Sequence, residues 1–176
     1  MVWSVEADCA ASARALAGHG ALQGAVVELC GPLGAGKTTF VRHLLRALGV
    51  TGRVKSPSYA VVEHYEYPEA AIARQPPAAE LAQASASLAL PGAVPALSCW
   101  HFDFYRFKDS REFEDAGLRD LYAAPGLKLA EWPENAQGAL PMADLRIAIE
   151  PVDDGAGEVR RVRFSAFTPR GMELLR

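Results

Sequence analysis

Residues 31–39 read Gly-Pro-Leu-Gly-Ala-Gly-Lys-Thr-Thr, and the spacing Gly31-x-x-x-x-Gly36-Lys37-Thr38 is that of a loop built to hold phosphate. Each residue type has a chemical reason. Gly31, Gly34 and Gly36 let the backbone turn with positive φ and approach an anion closely. The N–H groups of Leu33, Gly34, Ala35, Gly36 and Lys37 then converge on a β-phosphate, at the positive end of a helix that starts near Gly36. Lys37 adds a compact charge over the β and γ oxygens. Thr38 offers a hydroxyl to Mg²⁺, and Thr39 is placed to reach the α-phosphate. A plain glycine turn between a strand and a helix would use some of the same letters. The context favours the phosphate loop, because a buried strand precedes it and an amphipathic helix follows, as the motif requires.

Hydrolysis of a nucleoside triphosphate also needs a carboxylate on the metal side and a group that orients water. Asp103 ends the strand-like stretch "SCWHF" and suits the metal side, directly or through water; a surface aspartate is the alternative. Glu131 ends "LKLA", and ligands of open α/β sheets collect at the carboxyl ends of strands, so both acids can face the same phosphates. Position alone leaves Glu131 equally open to being a surface residue. Trp132 beside it could stack on a base or belong to the core. His101 lies two residues before Asp103 on the same sheet face and reads as a packed or hydrogen-bonded histidine rather than a ligand.

Base choice rests on weaker signals. Switch-type guanine readers carry Asn or Thr before the lysine of their base motif, and none of the four lysines here follows either residue. The one D-x-x-G match, Asp154 to Gly157, falls in a predicted hairpin turn. ATP is therefore preferred. A small-molecule kinase would use the same cradle, but such enzymes close an arginine-bearing lid over the phosphates. The segment 68–97 holds only Arg74.

The elements around these residues follow from periodicity. "ADCAASARALAGHG" predicts a helix capped by Asp8 and ended by Gly18. "AVVELC" (25–30) predicts a strand buried on both faces. From Gly36 to Leu48, Phe40, Val41, Leu44, Leu45 and Leu48 share one helix face, and Gly49 stops it. Strands are expected over 58–67, 98–107 and 126–132, with a helix after Asp109, whose capping box is completed by Glu112. "DLRIAIEPV" and "EVRRVRFSAF" alternate around "DDGAG", predicting a C-terminal antiparallel hairpin. Of the thirty residues from Pro68 to Leu97, sixteen are Ala or Pro and three are charged, so this insert reads as a surface loop with at most a short helix. The sum is a single α/β domain over 1–176, a three-layer P-loop NTPase-like fold with a mostly parallel central sheet.

Composition sets outer limits. The chain has 176 residues, is 50% hydrophobic and carries a formal charge of −3. That balance argues against gripping nucleic acid by its own electrostatics, though not against serving it through a partner. Cys9, Cys30 and Cys99 are scattered, with no metal-type pair, as suits a reducing compartment. "MVWSVEADCAAS" lacks the pattern of a secretory signal, and the most apolar window is interrupted by Pro91 and Pro95. A cytoplasmic protein away from membranes is expected.

Taken in order, "GPLGAGKTTFVRHLLRALGV", "VKSPSY", "HFDFYR", "EFEDAGLRDLY" and "LAEWPE" resemble the bacterial TsaE (YjeE) ATPases of the tRNA threonylcarbamoyladenosine pathway. The resemblance runs from about Cys30 to Pro141, apart from the insert. It implies a protein that binds ATP and Mg²⁺ and hydrolyses ATP slowly. It also implies association with the TsaB–TsaD pair, which transfers threonylcarbamoyl to the adenosine beside the anticodon of tRNAs reading ANN codons; tRNA is then met only through that complex. By this likeness Lys37 and Thr38 are phosphate and metal contacts, and Asp103 is the Walker-type acid. Glu131 is a metal-site or water-positioning carboxylate, and Trp132 lies near the nucleotide. "SPSY" is a switch-like segment with the Ser58 hydroxyl near the γ-phosphate. The family usually reads "SPTY", so Ser58 lacks a methyl that would restrict its rotamer. The family also usually crosses from "EHYEY" to "HFD" in a few residues, where this chain spends about thirty.

Overall fold

A computed structural model describes residues 1–57, 59–68, 96–153, 155 and 157–176. Its framework is a seven-stranded sheet in the order β1-β7-β6-β2-β5-β4-β3. The strands are β1 (Val2–Trp3), β2 (Val26–Cys30), β3 (Val62–Pro68), β4 (Ala96–Asp103), β5 (Leu127–Glu131), β6 (Leu145–Asp153) and β7 (Glu158–Ala166). The four central strands β6, β2, β5 and β4 are parallel, and both flanks are antiparallel. The predicted C-terminal hairpin is β6–β7, in register from Leu145 opposite Ala166 to Asp153 opposite Glu158. The helices are α1 (Glu6–Ala17), α2 (Lys37–Ala47), α3 (Glu112–Asp115), α4 (Leu118–Ala123) and α5 (Pro169–Glu173). No helix among the described residues is long and apolar enough to cross a membrane.

Alternation along the central strands sorts side chains into two cores. Val27 and Leu29 of β2, Leu127 and Leu129 of β5 and Cys99 of β4 meet Phe40, Val41, Leu44 and Leu45 of α2 and Ala13 and Leu16 of α1. Phe102 and Ala130 point the other way, into an aromatic cluster with Phe104, Phe113 and Tyr122 against α3 and α4. Two apolar layers on opposite faces of one sheet give the expected three-layer α/β architecture. Burying each of these large side chains stabilises the fold by about 1.5–3 kcal/mol. All three cysteines are free, and burial pushes the Cys9 thiol up to about 12 and the Cys30 thiol up to about 11.

Several boundaries differ from the periodic reading, and the larger shifts at α1, β3 and the end of β4 have local reasons. Helix α1 starts at Glu6, ahead of Asp8, because the Asp8 carboxylate reaches back to accept from the N–H groups of Ser4 and Val5. Strand β3 starts at Val62 rather than residue 58, because Val61 takes a left-handed φ of 66° and its N–H donates to Pro57 O. Strand β4 starts at Ala96 and ends at Asp103, not at residue 107. The Phe104 N–H donates to Glu131 O, and Phe107 N–H then turns back to Phe104 O. Phe104 and Phe107 are buried, but as loop residues of the aromatic cluster. Asp109 does not cap the helix as expected: α3 starts at Glu112 with Arg111 as its N-cap, and Asp109 instead closes the turn before it, its N–H donating to Glu112 and its carboxylate accepting from Arg111 N–H. Pro68 and Ala96 are register partners, so the insert leaves and rejoins the sheet at one point. Its predicted short helix and the turn residues Asp154 and Ala156 lie outside the described residues.

Asp144 secures the start of β2, the strand that feeds the glycine loop. Its buried carboxylate accepts from Val26 N–H at 2.9 Å and from the Thr168 hydroxyl at 2.5 Å. Thr168 in turn caps α5, accepting from Gly171 N–H at 3.1 Å. Asp144→Ala orphans a backbone donor inside the sheet and the cap of the last helix. The expected loss is about 2–4 kcal/mol in urea unfolding.

Candidate functional site

The glycine loop runs from the end of β2 to the start of α2, and its glycines carry the positive φ values the spacing calls for. Gly36 is the N-cap of α2 with φ 107°, which aims the first turn's free N–H groups into the loop. Gly31 has φ 141°, and a Cβ placed there would lie 2.2 Å from Ile149 O of β6. Across the loop, Arg160 Nε of β7 donates to Ala35 O at 3.1 Å. The hairpin therefore clamps the loop at two points. Gly31→Ala forces both a strained backbone and a steric overlap, and urea unfolding should show a loss of about 2–5 kcal/mol.

Lys37 opens α2 and is buried. Its ammonium donates to Gly31 O at 2.6 Å and Pro32 O at 3.0 Å, and lies 3.8 Å from the centre of the Trp132 ring. Burial pulls its pKa below the ordinary lysine range, opposed by the carboxylates of Glu131, Glu134 and Asp103. This is a charge held at the mouth of the loop by carbonyls and an aromatic face. Trp132 itself has a left-handed φ of 57°, a strained conformation for a tryptophan, which directs the chain from β5 into a 3₁₀ turn.

The two candidate acids stand side by side. Asp103 and Glu131 are register partners at the carboxyl ends of the parallel strands β4 and β5. The Thr38 hydroxyl lies 2.8 Å from Glu131 Oε1 and donates to that carboxylate. His101 Nε2 sits 2.9 Å from the same oxygen. Asp103 Oδ2 accepts from the Ser56 hydroxyl at 2.7 Å, and Oδ1 accepts from Tyr105 N–H at 3.0 Å. A hydroxyl beside two carboxylates is an all-oxygen donor set, which suits Mg²⁺. That ion takes one or two protein oxygens and completes its shell with substrate phosphate and water. Thr38, Asp103 and Glu131 would hold it.

These groups line one open cavity of about 420 Å³. Of the residues singled out in the sequence, Leu33, Gly34, Ala35, Gly36, Lys37, Thr38, Thr39, Asp103, Glu131 and Trp132 all border it. Ser58 lies outside the described residues. His101 is buried and hydrogen-bonded, as its place in the strand suggested. The sequence reading missed Ser56, Tyr59, Tyr105 and Arg106, which border the same cavity. Their signal lay in the quoted stretches "SPSY" and "HFDFYR". Spacing alone could not say which serine meets Asp103. Across the loop a second cavity of about 270 Å³ is bounded by Trp3, Ser4, Val5, Glu6 and Arg160, and it shares Gly34, Ala35, Gly36 and Thr39 with the first. Trp132 borders only the first, at its Lys37 end.

Comparison with known proteins gives a consistent result. Residues 4–74 and 85–161 match the family model described as threonylcarbamoyl adenosine biosynthesis protein TsaE. A tRNA threonylcarbamoyladenosine biosynthesis protein TsaE from Haemophilus influenzae is 34% identical over 150 residues, covering 85% of this chain and 75% of its own. The protein of the same name from Streptomyces coelicolor is 34% identical over 149 residues, covering 84% of this chain and 83% of its own. The crystal structure of Bacillus subtilis YdiB superposes with a TM-score of 0.66 at 25% identity, covering 99% of this chain and 90% of that one.

Proposed function

The chain belongs to the TsaE family of threonylcarbamoyl adenosine biosynthesis proteins, and from that premise we propose that it is a cytoplasmic Mg-ATP hydrolase serving the TsaB–TsaD complex. In this reading it turns over ATP slowly, supports repeated cycles of threonylcarbamoyl transfer, and meets tRNA only through its partners. The observation that carries it is the contact between Thr38 and Glu131 at the end of a left-handed glycine loop. It joins the helix start that would bind phosphates to the strand end that would bind the metal.

The triphosphate would lie across the loop. Its γ end faces Lys37, Asp103 and Glu131, its α-phosphate is near Thr39, and its nucleoside enters the cavity beside Trp3–Glu6. Lys37 would leave the carbonyls of Gly31 and Pro32 for the β and γ oxygens, keeping the Trp132 face behind it. Thr38, Asp103 and Glu131 would hold Mg²⁺, which would supply charge neutralisation to the phosphates. Glu131 would orient water toward the γ-phosphate while Asp103 serves the metal side; the P–O bond to water forms as the bond to ADP breaks, and the water's proton passes to the released phosphate. Ser56 holds Asp103, so the segment before β3 is tied to the γ end.

Calorimetry with Mg-ATP, followed by phosphate release with and without TsaB–TsaD, tests the proposal. Binding alone and turnover stimulated by the pair are expected. No heat with any purine triphosphate, alone or with the partners, overturns it. Transfer of the γ-phosphate to a metabolite would instead make it a small-molecule kinase.

A further inference from the structure

We infer that His101 is a positioning residue for Glu131, holding that carboxylate on the Thr38 side of the cavity. The inference rests on the reading above, in which Glu131 serves the metal and water. His101 is fully buried in β4, on the sheet face that also carries Cys99, Leu127 and Leu129. Its Nδ1 has no hydrogen-bond partner among the described residues. An orphaned polar atom in such a place costs about 1–3 kcal/mol, which an apolar side chain would avoid. The histidine's polar contact among the described residues is Nε2 to Glu131 Oε1, at 2.9 Å. A carboxylate oxygen only accepts, so Nε2 is the nitrogen that carries the proton.

The same oxygen also accepts from Thr38. The Thr38 hydroxyl lies across both oxygens, 2.8 Å from Oε1 and 3.0 Å from Oε2, whereas His101 reaches Oε1 alone, so the histidine is the donor that sets which way the carboxylate turns. The competing arrangement is close by. Glu131 is the strongest of the carboxylates acting on the buried Lys37 ammonium. Without the His101 donor, Glu131 can swing to pair with that lysine. Such a swing would occupy the phosphate charge and empty the metal side in one movement.

The test compares His101→Asn with His101→Gln. The glutamine amide reaches the Nε2 position and keeps the donor to Glu131; the asparagine amide ends near Nδ1 and does not. His101→Asn should lower ATP turnover by about 10- to 100-fold, the usual scale for groups that orient a metal-side ligand. His101→Gln should keep most of the activity and wild-type ADP binding without magnesium, whereas in His101→Asn that binding should fall, but far less than turnover, because Glu131 then competes for Lys37. In a Glu131→Gln background, His101→Asn should add no further loss. Asn and Gln behaving alike, whether active or inactive, overturns the inference, as does an equal fall in magnesium-free ADP binding and turnover. If His101→Asn does not fold, imidazole nitrogen NMR of the wild-type protein decides. The His101 Nε2 signal should shift on Glu131→Gln, and an unmoved signal overturns the inference. Wild-type protein without ATP turnover would bring down the functional reading instead, while the NMR still reports the bond.

Discussion

Lys37→Ala weakens Mg-ATP binding by between about two and four orders of magnitude, with no loss of thermal stability. The two halves of this result have the same origin. In the free protein the ammonium is buried at a desolvation cost, offset by two carbonyls, the Trp132 face and neighbouring carboxylates. Alanine removes the desolvation cost, and the two carbonyls it releases belong to half-buried Gly31 and exposed Pro32, where water can replace the ammonium, so the fold gains or loses little. With a triphosphate present the balance changes. Removing a buried, hydrogen-bonded charge from its partner typically costs about 3–5 kcal/mol, and each 1.4 kcal/mol is about tenfold in Kd. Calorimetry and thermal unfolding on the same preparation measure both. In cells where Lys37→Ala is the only copy, threonylcarbamoyladenosine in tRNA should be lost; normal modification there would refute the proposed role.

Glu131→Ala separates chemistry from binding. The side chain touches Thr38 and His101 and sits beside Asp103. It makes none of the loop's N–H or lysine contacts to phosphate. Its loss should therefore lower turnover by about 10²- to 10³-fold, the scale of removing one preorganised group from a transition state. Nucleotide affinity should fall far less. Equal losses in both would count against a water- or metal-positioning role for Glu131. Some loss of stability is also expected, because His101 and the Thr38 hydroxyl lose their shared acceptor. Steady-state kinetics and calorimetry at matched magnesium distinguish these effects.

What could be read from sequence was what short-range covalent geometry dictates. The glycine loop carries its own instructions, since only glycine takes the φ values of Gly31, Gly34 and Gly36 without strain. Helix α2 was legible from its apolar stripe, and the hairpin from strict alternation on both sides of "DDGAG". The pairing of Asp103 with Glu131 was only half legible. Each acid ends a strand, but their adjacency depends on β4 and β5 being neighbours in register, which no local pattern encodes. The strand ends were misread where burial continued without pairing. Phe104 and Phe107 prolong the aromatic run of β4, yet they fill the second core from a loop. Val61 looked like an ordinary strand residue. Its left-handed φ turns the chain so that Val61 O can accept from Asp103 N–H, a long-range demand invisible in "YAVVEHYEY".

The hairpin supplies no group to the phosphate cavity, yet Ile149 O closes on Gly31 and Arg160 grips Ala35. Those two touches make the C-terminal hairpin a gauge for the cradle's depth. A change that slides β6 by a fraction of an ångström, at a site that borders neither of the two cavities beside the loop, will alter how deep a triphosphate can sit. Nucleotide affinity thus doubles as a readout of how well the C-terminal strands are seated.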